Sequence, residues 1–389
     1  MMTRPAKTPA APSDTTPRST ETPPPQQALS PERAAARAAF LENAHWADAT
    51  STPIAGDAST RAYERLTKNG ETAVLMNASP GAEEADCPRD AGPDERRRLG
   101  YNAMARLAGP NLNAFLAVAD ALRAAGLAAP AVYAADPING FALLEDLGED
   151  LLARAVDRSA DEQTLYDSAI DVLIALRKSS PKPPDGPAYA MLDYDETALI
   201  AEADLLPEWY ADYRGARAFT DSERAALDAA WRKALAQLSP PSLIVLRDYH
   251  AENLLWLPGN EGARRLGVID FQDGLFGHPA YDLVSLLEDA RRDVSPTVTK
   301  RALQRYLDGA REIDPAFDEA AFHRDYALLG AQRNAKILGI FARLIVRDGK
   351  TRYEDFFERV ENHFRGDLKH PALAEVRAVL RGPTPALTD

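Results

Sequence analysis

The chain has a single cysteine, Cys87, and no long apolar run, and these two deficits exclude several classes of protein. One thiol can form neither an intramolecular disulfide nor a cysteine-based metal cluster, which is typical of a reducing compartment. No stretch stays apolar for the roughly 18 residues that a bilayer span requires, and the N-terminus lacks the apolar segment of a signal peptide. We therefore expect a cytoplasmic protein with no membrane partner.

Basic side chains are also scarce. The 45 Lys and Arg residues are outnumbered by 59 Asp and Glu, which gives a formal charge of -14 at pH 7. This balance disfavours a broad electrostatic grip on nucleic acid or on an anionic membrane. With 45% hydrophobic and 27% charged residues, the 389-residue chain has ordinary globular composition. We expect a two-lobed enzyme whose partners are small molecules.

Proline, threonine and alanine dominate residues 1–29, which carry almost no bulky apolar side chains. This composition predicts a disordered tail. Order is predicted to begin at Ser30, because Ser30, Pro31 and Glu32 supply an N-cap, a first-turn proline and an early acid. The alanine-rich run that follows predicts a helix.

Two β-runs, RAYERLT and ETAVLMN, occupy most of residues 61–77. They are joined through Lys68, Asn69 and Gly70, and Asn-Gly is the strongest short hairpin signal, since both turn positions need positive φ. The small polar stretch at 56–60 precedes them. Two more strands are predicted at 130–133 and 141–144, so we expect an α+β lobe over residues 30–145.

Long amphipathic helices are predicted after residue 146, at 161–178, 196–213 and 221–237, and again from 281 to the end. Short apolar runs at 243–246, 254–257 and 266–269 interrupt them and predict a small β-rich insert. We therefore expect a larger, mostly helical lobe over residues 146–389.

Asp248, Asn253 and Asp270 lie at the ends of these short runs. Phosphoryl transfer uses this set of groups: a carboxylate orients the acceptor hydroxyl, and an amide with a second carboxylate holds magnesium on the nucleotide phosphates. Because the protein does little covalent chemistry, positioning and charge neutralisation supply most of the rate.

In these residues the chain resembles the kinase-like superfamily that includes aminoglycoside phosphotransferases, choline kinases and, more distantly, protein kinases, over about residues 40–380. The resemblance implies a bilobal protein-kinase-like α+β fold and the use of ATP and Mg²⁺. Asp248 would be the catalytic base or hydroxyl-orienting group of the catalytic loop, which we define as residues 246–253. Asn253 and Asp270 would be the magnesium ligands.

The same resemblance implies the nucleotide contacts. Ser59 and Thr60 would belong to the loop that covers the phosphates, and Glu145 and Leu147 to the interlobe linker, residues 145–148, whose backbone holds adenine. A plain loop after a strand is the alternative interpretation of the linker.

Met76 stands where the superfamily's usual strand lysine reaches the phosphates. The sequence leaves three substitutes for that cation: Arg61, which we favour, Arg65, or backbone amides together with the metal. A solvated strand face is the alternative interpretation of either arginine.

Longer motifs, at residues 56–63, 268–274, 281–287 and 332–344, are similar to the bacterial anomeric kinases of cell-wall recycling. That branch phosphorylates the C1 hydroxyl of N-acetylmuramate and N-acetylglucosamine, so the resemblance implies an amino-sugar kinase in peptidoglycan recycling. The branch also tends to carry Met at the position of Met76.

Four cationic residues share one face of the helix predicted near 331–347: Arg333, Lys336, Arg343 and Arg347. We predict that part of this cationic stripe, Arg333 and Lys336 in particular, binds an anion such as the lactyl carboxylate of N-acetylmuramate or the transferred phosphate. His250 and Asp273 are further candidates for the acceptor site. A solvated face paired with surplus acids is the alternative interpretation of the stripe.

Two other functions stay open. A kinase for an aminoglycoside or an amino alcohol would use the same catalytic groups, although those cationic acceptors favour acidic pockets over a basic stripe. A nucleotide-binding pseudokinase would explain Met76, but retention of Asp248, Asn253 and Asp270 argues against it.

Overall fold

The computed structural model of the protein describes residues 29–54, 61–80, 87–107, 112–158 and 161–389. The predicted tail lies outside this part of the chain except for Leu29, and so do the predicted phosphate contacts Ser59 and Thr60. The described chain consists of a β-sheet region followed by a helical region, which confirms the predicted α+β class. No helix in these ranges is long and apolar enough to cross a bilayer.

The N-terminal region is built on one antiparallel sheet whose strands are ordered β1-β2-β3-β5-β4. Its strands are β1 (Thr50–Ile54), β2 (Arg61–Lys68), β3 (Glu71–Ala78), β4 (Val132–Asp136) and β5 (Phe141–Glu145). Its helices are α1 (Pro31–Asn43), α2 (Pro93–Leu99) and α3 (Leu112–Ala124), with a π-helical turn at Asn102–Arg106.

Local sequence accounts for the start of this region. Ser30 caps α1, since its Oγ accepts a hydrogen bond from the backbone N–H of Arg33 at 3.2 Å. The predicted hairpin is confirmed: Asn69 and Gly70 have φ of 53° and 84°, and Lys68 pairs with Glu71 across the turn. The edge strand β1 was not predicted.

The two faces of the sheet have different roles. Leu66 and Leu75 face α1 and pack in a small core with Phe40, whose ring stacks on Phe141 at 5.6 Å between centroids. Met76 faces the other way, into the main core, and is fully buried. Because Tyr63 pairs with Met76 and side chains alternate along a strand, Arg61 and Arg65 share the face of Met76.

The C-terminal region is mostly helical. Between α8 and α9 it contains four short strands: β6 (Leu243–Val245), β7 (Leu254–Trp256), β8 (Leu266–Val268) and β9 (Leu275–Gly277). Its helices are α4 (Leu152–Asp157), α5 (Glu162–Ser179), α6 (Glu196–Ala203), α7 (Ala211–Arg214), α8 (Asp221–Leu235), α9 (Ala280–Leu287), α10 (Pro296–Ile313), α11 (Glu319–Val346), α12 (Phe357–Asp367) and α13 (Ala374–Leu380).

One predicted helix differs from the structure. The stretch 196–213 is divided into α6, a π-helical turn at Leu206–Tyr210 and α7. Pro207 lies inside this turn and has no N–H to donate, so the regular α-helical hydrogen-bond ladder cannot run through it. Strand β9 was not predicted either.

Candidate active site

Strand pairing brings together residues that are far apart in the chain. In the β7–β8 pair, Leu254 lies opposite Val268, so Asn253 and Ile269 are neighbours just beyond the paired ends. The backbone N–H of Ile269 donates to the carbonyl of Asn253 at 3.1 Å. Asp270 follows directly, with a φ of 58°. The register of a three-residue strand pair therefore places Asp270 beside the catalytic loop.

The first turn of α9 braces the start of the catalytic loop. The Asp282 carboxylate accepts hydrogen bonds from the backbone N–H groups of Leu246 at 2.8 Å and Arg247 at 2.9 Å. Ser285 donates to the Arg247 carbonyl at 3.1 Å. Arg247 has a φ of 67°, which is unfavourable for a side chain of its size, so these contacts hold a strained backbone in place. Burial raises the pKa of Asp282 to about 7.

Asn253 is oriented by its amide nitrogen. Its Nδ2 donates to the Asp248 carbonyl at 2.9 Å and lies 3.4 Å from Nε2 of His250. The amide oxygen is thereby turned away from both contacts. Asp270 is oriented by Gln272, whose Nε2 donates to Asp270 Oδ1 at 2.7 Å. Both groups present oxygen atoms, which are the ligands that Mg²⁺ prefers.

The two aspartates oppose each other electrostatically. Burial and the charge of Asp248 raise the pKa of Asp270. Burial also disfavours the charged form of Asp248, but Lys336 and other nearby cations hold the pKa of Asp248 below its ordinary value. A divalent cation bound near Asp248 and Asp270 would relieve the repulsion between these two carboxylates. The donor set therefore fits Mg²⁺. No set of three or more His, Cys, Asp or Glu side chains in the described ranges could hold a metal, so amide and phosphate oxygens would complete the coordination.

A buried ion cluster, which we define as Glu202, Arg247 and Lys336, joins the catalytic loop to α6 and α11. Glu202 is 2% exposed and forms an ion pair with Arg247. Its Oε1 lies 3.0 Å from Lys336 Nζ. Tyr194 also donates a hydrogen bond to Glu202. Burial disfavours all three charges, but their mutual attraction lowers the pKa of Glu202 and raises those of Arg247 and Lys336.

The predicted acceptor-site cations have internal partners. Besides Glu202, Lys336 donates to the hydroxyl of Tyr281 at 3.1 Å. Arg333 is 4% exposed and donates to Ser285 Oγ at 2.9 Å. Since Ser285 in turn bonds the Arg247 carbonyl, Arg333 supports the catalytic loop. Direct contact of either cation with a substrate stays a prediction.

The other two acceptor-site candidates also border the loop. Burial lowers the pKa of His250 to about 4, so its imidazole is neutral. Nε2 of His250 faces two donors, Asn253 Nδ2 and Arg291 Nη1, each at 3.4 Å, which requires the proton to be on Nδ1. Asp273 forms an ion pair with Arg106 at 3.0 Å. Substrate contact of either residue stays a prediction.

The structure distinguishes between the two arginines of β2. Arg65 binds Asp146 of the interlobe linker through two contacts, Nε to Oδ2 at 2.6 Å and Nη2 to Oδ1 at 3.0 Å. It therefore holds the two regions of the chain together. Arg61 is 8% exposed. Its positive charge favours a lower pKa for Asp270 and so partly offsets burial and the charge of Asp248, which raise that pKa. Arg61 thus lies within electrostatic range of the candidate metal ligands.

The linker residues predicted to hold adenine are themselves well anchored. Glu145 Oε2 accepts from the backbone N–H of Ala131 at 3.0 Å. Leu147 lies over Gly267 of β8, where a Cβ would come within 2.9 Å of Leu147 Cδ1. The linker is therefore packed against the strand pair that carries Asn253 and Asp270. Its contacts with a nucleotide stay predictions.

Two residues of the site escaped the sequence analysis. Glu202 belongs to no motif, and the only available signal was an acid inside the apolar run of α6, ETALIAEA. Arg106 lies in the π-helical turn, and its carbonyl accepts from Arg247 Nη1 at 2.8 Å. No local pattern marks it. Both residues act on a catalytic-loop arginine more than 40 positions away.

Comparison with known proteins assigns the chain to a family. Residues 50–322 match the model of the APH family, described as the phosphotransferase enzyme family. The chain is 47% identical to an N-acetylmuramate/N-acetylglucosamine kinase of Caulobacter vibrioides, over 90% of this chain and 96% of the relative. It is 31% identical to an N-acetylmuramate/N-acetylglucosamine kinase of Pseudomonas putida, over 81% and 83% of the two chains.

The fold itself is shared with a solved structure. The structure resembles the crystal structure of a choline/ethanolamine kinase family protein from Mesorhizobium loti, with a TM-score of 0.52 and 13% identity over 90% of this chain and 98% of that one. The predicted kinase-like fold and superfamily resemblance are confirmed. The protein belongs to the APH phosphotransferase enzyme family.

Proposed function

We propose that the protein transfers a phosphoryl group from ATP to the anomeric C1 hydroxyl of N-acetylmuramate and N-acetylglucosamine, in cytoplasmic peptidoglycan recycling. The observation that carries the proposal is the convergence of Asp248, Asn253 and Asp270 at the paired ends of β7 and β8. The acceptor follows the names of the two similar kinases. Residues 30–145 would bind the nucleotide, and residues 146–389 would supply the catalytic loop and the sugar site.

Asp248 performs the acid–base part of this reaction. Its carboxylate is ionised at neutral pH, because nearby cations hold its pKa below the ordinary value despite burial. It accepts the hydrogen bond of the C1 hydroxyl and turns a lone pair of that oxygen toward the γ-phosphorus of ATP. The oxygen–phosphorus bond forms as the bond to the ADP oxygen breaks, and the hydroxyl proton leaves toward Asp248.

Asn253 and Asp270 hold the phosphate end of the nucleotide. When bound, Mg²⁺ supplies charge neutralisation on the transferred phosphoryl group. The Asp248 carbonyl anchors Nδ2 of Asn253, and Gln272 anchors Asp270, so both ligands keep their orientation before the nucleotide arrives. This preorganisation avoids an ordering cost during the reaction.

Product analysis tests the acceptor. Purified protein with ATP and Mg²⁺ is offered N-acetylmuramate, N-acetylglucosamine, choline and a panel of aminoglycosides, and products are identified by ³¹P NMR. We expect sugar 1-phosphate from both amino sugars. A phosphorylated aminoglycoside or amino alcohol without sugar phosphate would contradict the proposal. ADP without any phosphorylated acceptor, or nucleotide binding without turnover, would contradict it as well.

Arg61 is the candidate for the missing phosphate cation, because its charge acts on Asp270, whereas Arg65 reaches the linker. We expect Arg61→Ala to raise the KM for ATP by about 10- to 100-fold, the loss of one charge-assisted hydrogen bond, with a smaller change in the KM for the sugar. Steady-state kinetics with each substrate varied in turn measures both constants.

Arg37→Ala is the matched control. This change also removes an arginine of the N-terminal region. Arg37 lies on α1 and forms an ion pair with Glu64 of β2. Its KM for ATP should remain that of the wild type. Equal KM values for ATP in the two variants would show that Arg61 does not bind phosphate.

A further inference from the structure

The four cations of the stripe on α11 do not have equivalent surroundings. Three of them are bound to protein partners: Arg333 to Ser285, Lys336 to Glu202 and Arg347 to Asp348. The Arg347 contact is bidentate, at 2.7 and 3.0 Å. Asp348, which also lies within electrostatic range of Arg343, is therefore already engaged.

Arg343 is the exception. Within residues 29–54, 61–80, 87–107, 112–158 and 161–389, its guanidinium makes no hydrogen bond and no ion pair, and its buried Nε has no acceptor. Its guanidinium carbon lies over the ring of Tyr101, 5.3 Å from the centroid. A ring face stabilises a cation and orients its plane, but it does not satisfy the N–H donors. The Nη donors, which are not buried, are available to an anion.

Arg343 is connected with the buried ion cluster through α11 and Tyr101. It follows Lys336 by seven residues, so both lie on one face of α11, about 10 Å apart along the axis. Lys336 is the cation with the largest effect on Asp248. Tyr101 lies within electrostatic range of both Lys336 and Arg343. Burial and the charge of Glu202 raise the pKa of the Tyr101 hydroxyl to about 12, although the charges of Lys336 and Arg343 favour a lower pKa. Arg343 is thus connected through one helix face and the Tyr101 ring with Lys336, the cation that acts on Asp248.

We propose that Arg343 binds the carboxylate of an anionic acceptor and so determines the preference for N-acetylmuramate over N-acetylglucosamine. The inference rests on the proposed function, in which both sugars are acceptors. N-acetylmuramate differs from N-acetylglucosamine by its lactyl group, which carries the carboxylate. A planar guanidinium with unused donors matches a carboxylate in geometry and charge. Its partly buried position beside Tyr101 limits competition from water and strengthens the pair.

The two acceptors provide an internal comparison. We expect Arg343→Gln to lower the ratio of kcat/KM for N-acetylmuramate to kcat/KM for N-acetylglucosamine by about 10- to 100-fold, mainly through the KM for N-acetylmuramate. Arg343→Lys should recover part of the ratio, since lysine restores the positive charge but lacks the paired N–H donors of the guanidinium. The methyl ester of N-acetylmuramate should lose the wild-type preference in the same way.

Arg347→Gln is the matched control, one turn along the same helix, and it should keep the wild-type ratio. An unchanged ratio in Arg343→Gln, or equal losses on both sugars, would overturn the inference and leave the proposed function standing, since Arg343 would then serve only to hold Tyr101. Failure of the wild-type protein to phosphorylate either sugar would overturn both.

Discussion

Asp270→Ala should abolish ATP turnover, with a fall in kcat on the order of 10³-fold or more, comparable to the loss of a central electrostatic group in a transition state. The expected effect is large because the buried Met76 stands at the position where the wider superfamily usually has a lysine. A metal held by Asn253 and Asp270, as proposed, would therefore neutralise more of the phosphate charge. Coupled assay of ADP release at saturating substrates measures the loss.

Asp270→Ala should not weaken the fold. Burial and Asp248 both disfavour the charged form of Asp270, so its removal should leave the Tm unchanged or raise it. Asp293→Ala is the control, because Asp293 is an exposed partner of Arg359. It should retain wild-type kcat. Appreciable turnover by Asp270→Ala would overturn the assignment of Asp270 as a metal ligand.

Glu202→Ala should destabilise the protein by about 3–5 kcal/mol, because it leaves Arg247 and Lys336 buried without their shared carboxylate. The Tm should fall on the order of 10 °C. Activity should fall too, since Arg247 belongs to the catalytic loop and Lys336 favours the ionised form of Asp248. Thermal denaturation and steady-state kinetics on the same preparation measure both effects.

Glu202→Gln separates charge from shape. It keeps the size and part of the hydrogen bonding, so a Tm close to that of Glu202→Ala would identify the lost charge as the cause. Asp308→Ala is the control, because it breaks an exposed ion pair with Arg311 and should change the Tm little. A Tm for Glu202→Ala no lower than that of Asp308→Ala would contradict the role of the buried ion cluster.

Local features of the sequence were sufficient for much of the fold. Asn69 and Gly70 determine the hairpin, since only a few residue types accept positive φ at both positions. Ser30 determines the start of α1 through its cap. Helix 196–213 was predicted as continuous although Pro207 already marked the irregular turn, whose π-helical form depends on packing around it.

The sequence by itself determined the proposed set of reacting groups, because Asp248, Asn253 and Asp270 lie within 23 positions and are aligned by one short strand pair. Only the tertiary structure decided the environment of each charge. Arg65 binds the linker, and Arg61 lies within electrostatic range of Asp270. Arg333 and Lys336 face inward, while Arg343 has donors without a partner in the part of the chain that the structure describes. The physical reason is how far apart in the sequence the interacting residues lie. A turn or a helix cap is determined by a few neighbouring residues. The partner of a buried charge depends on which distant helices pack against it, and no local pattern encodes that.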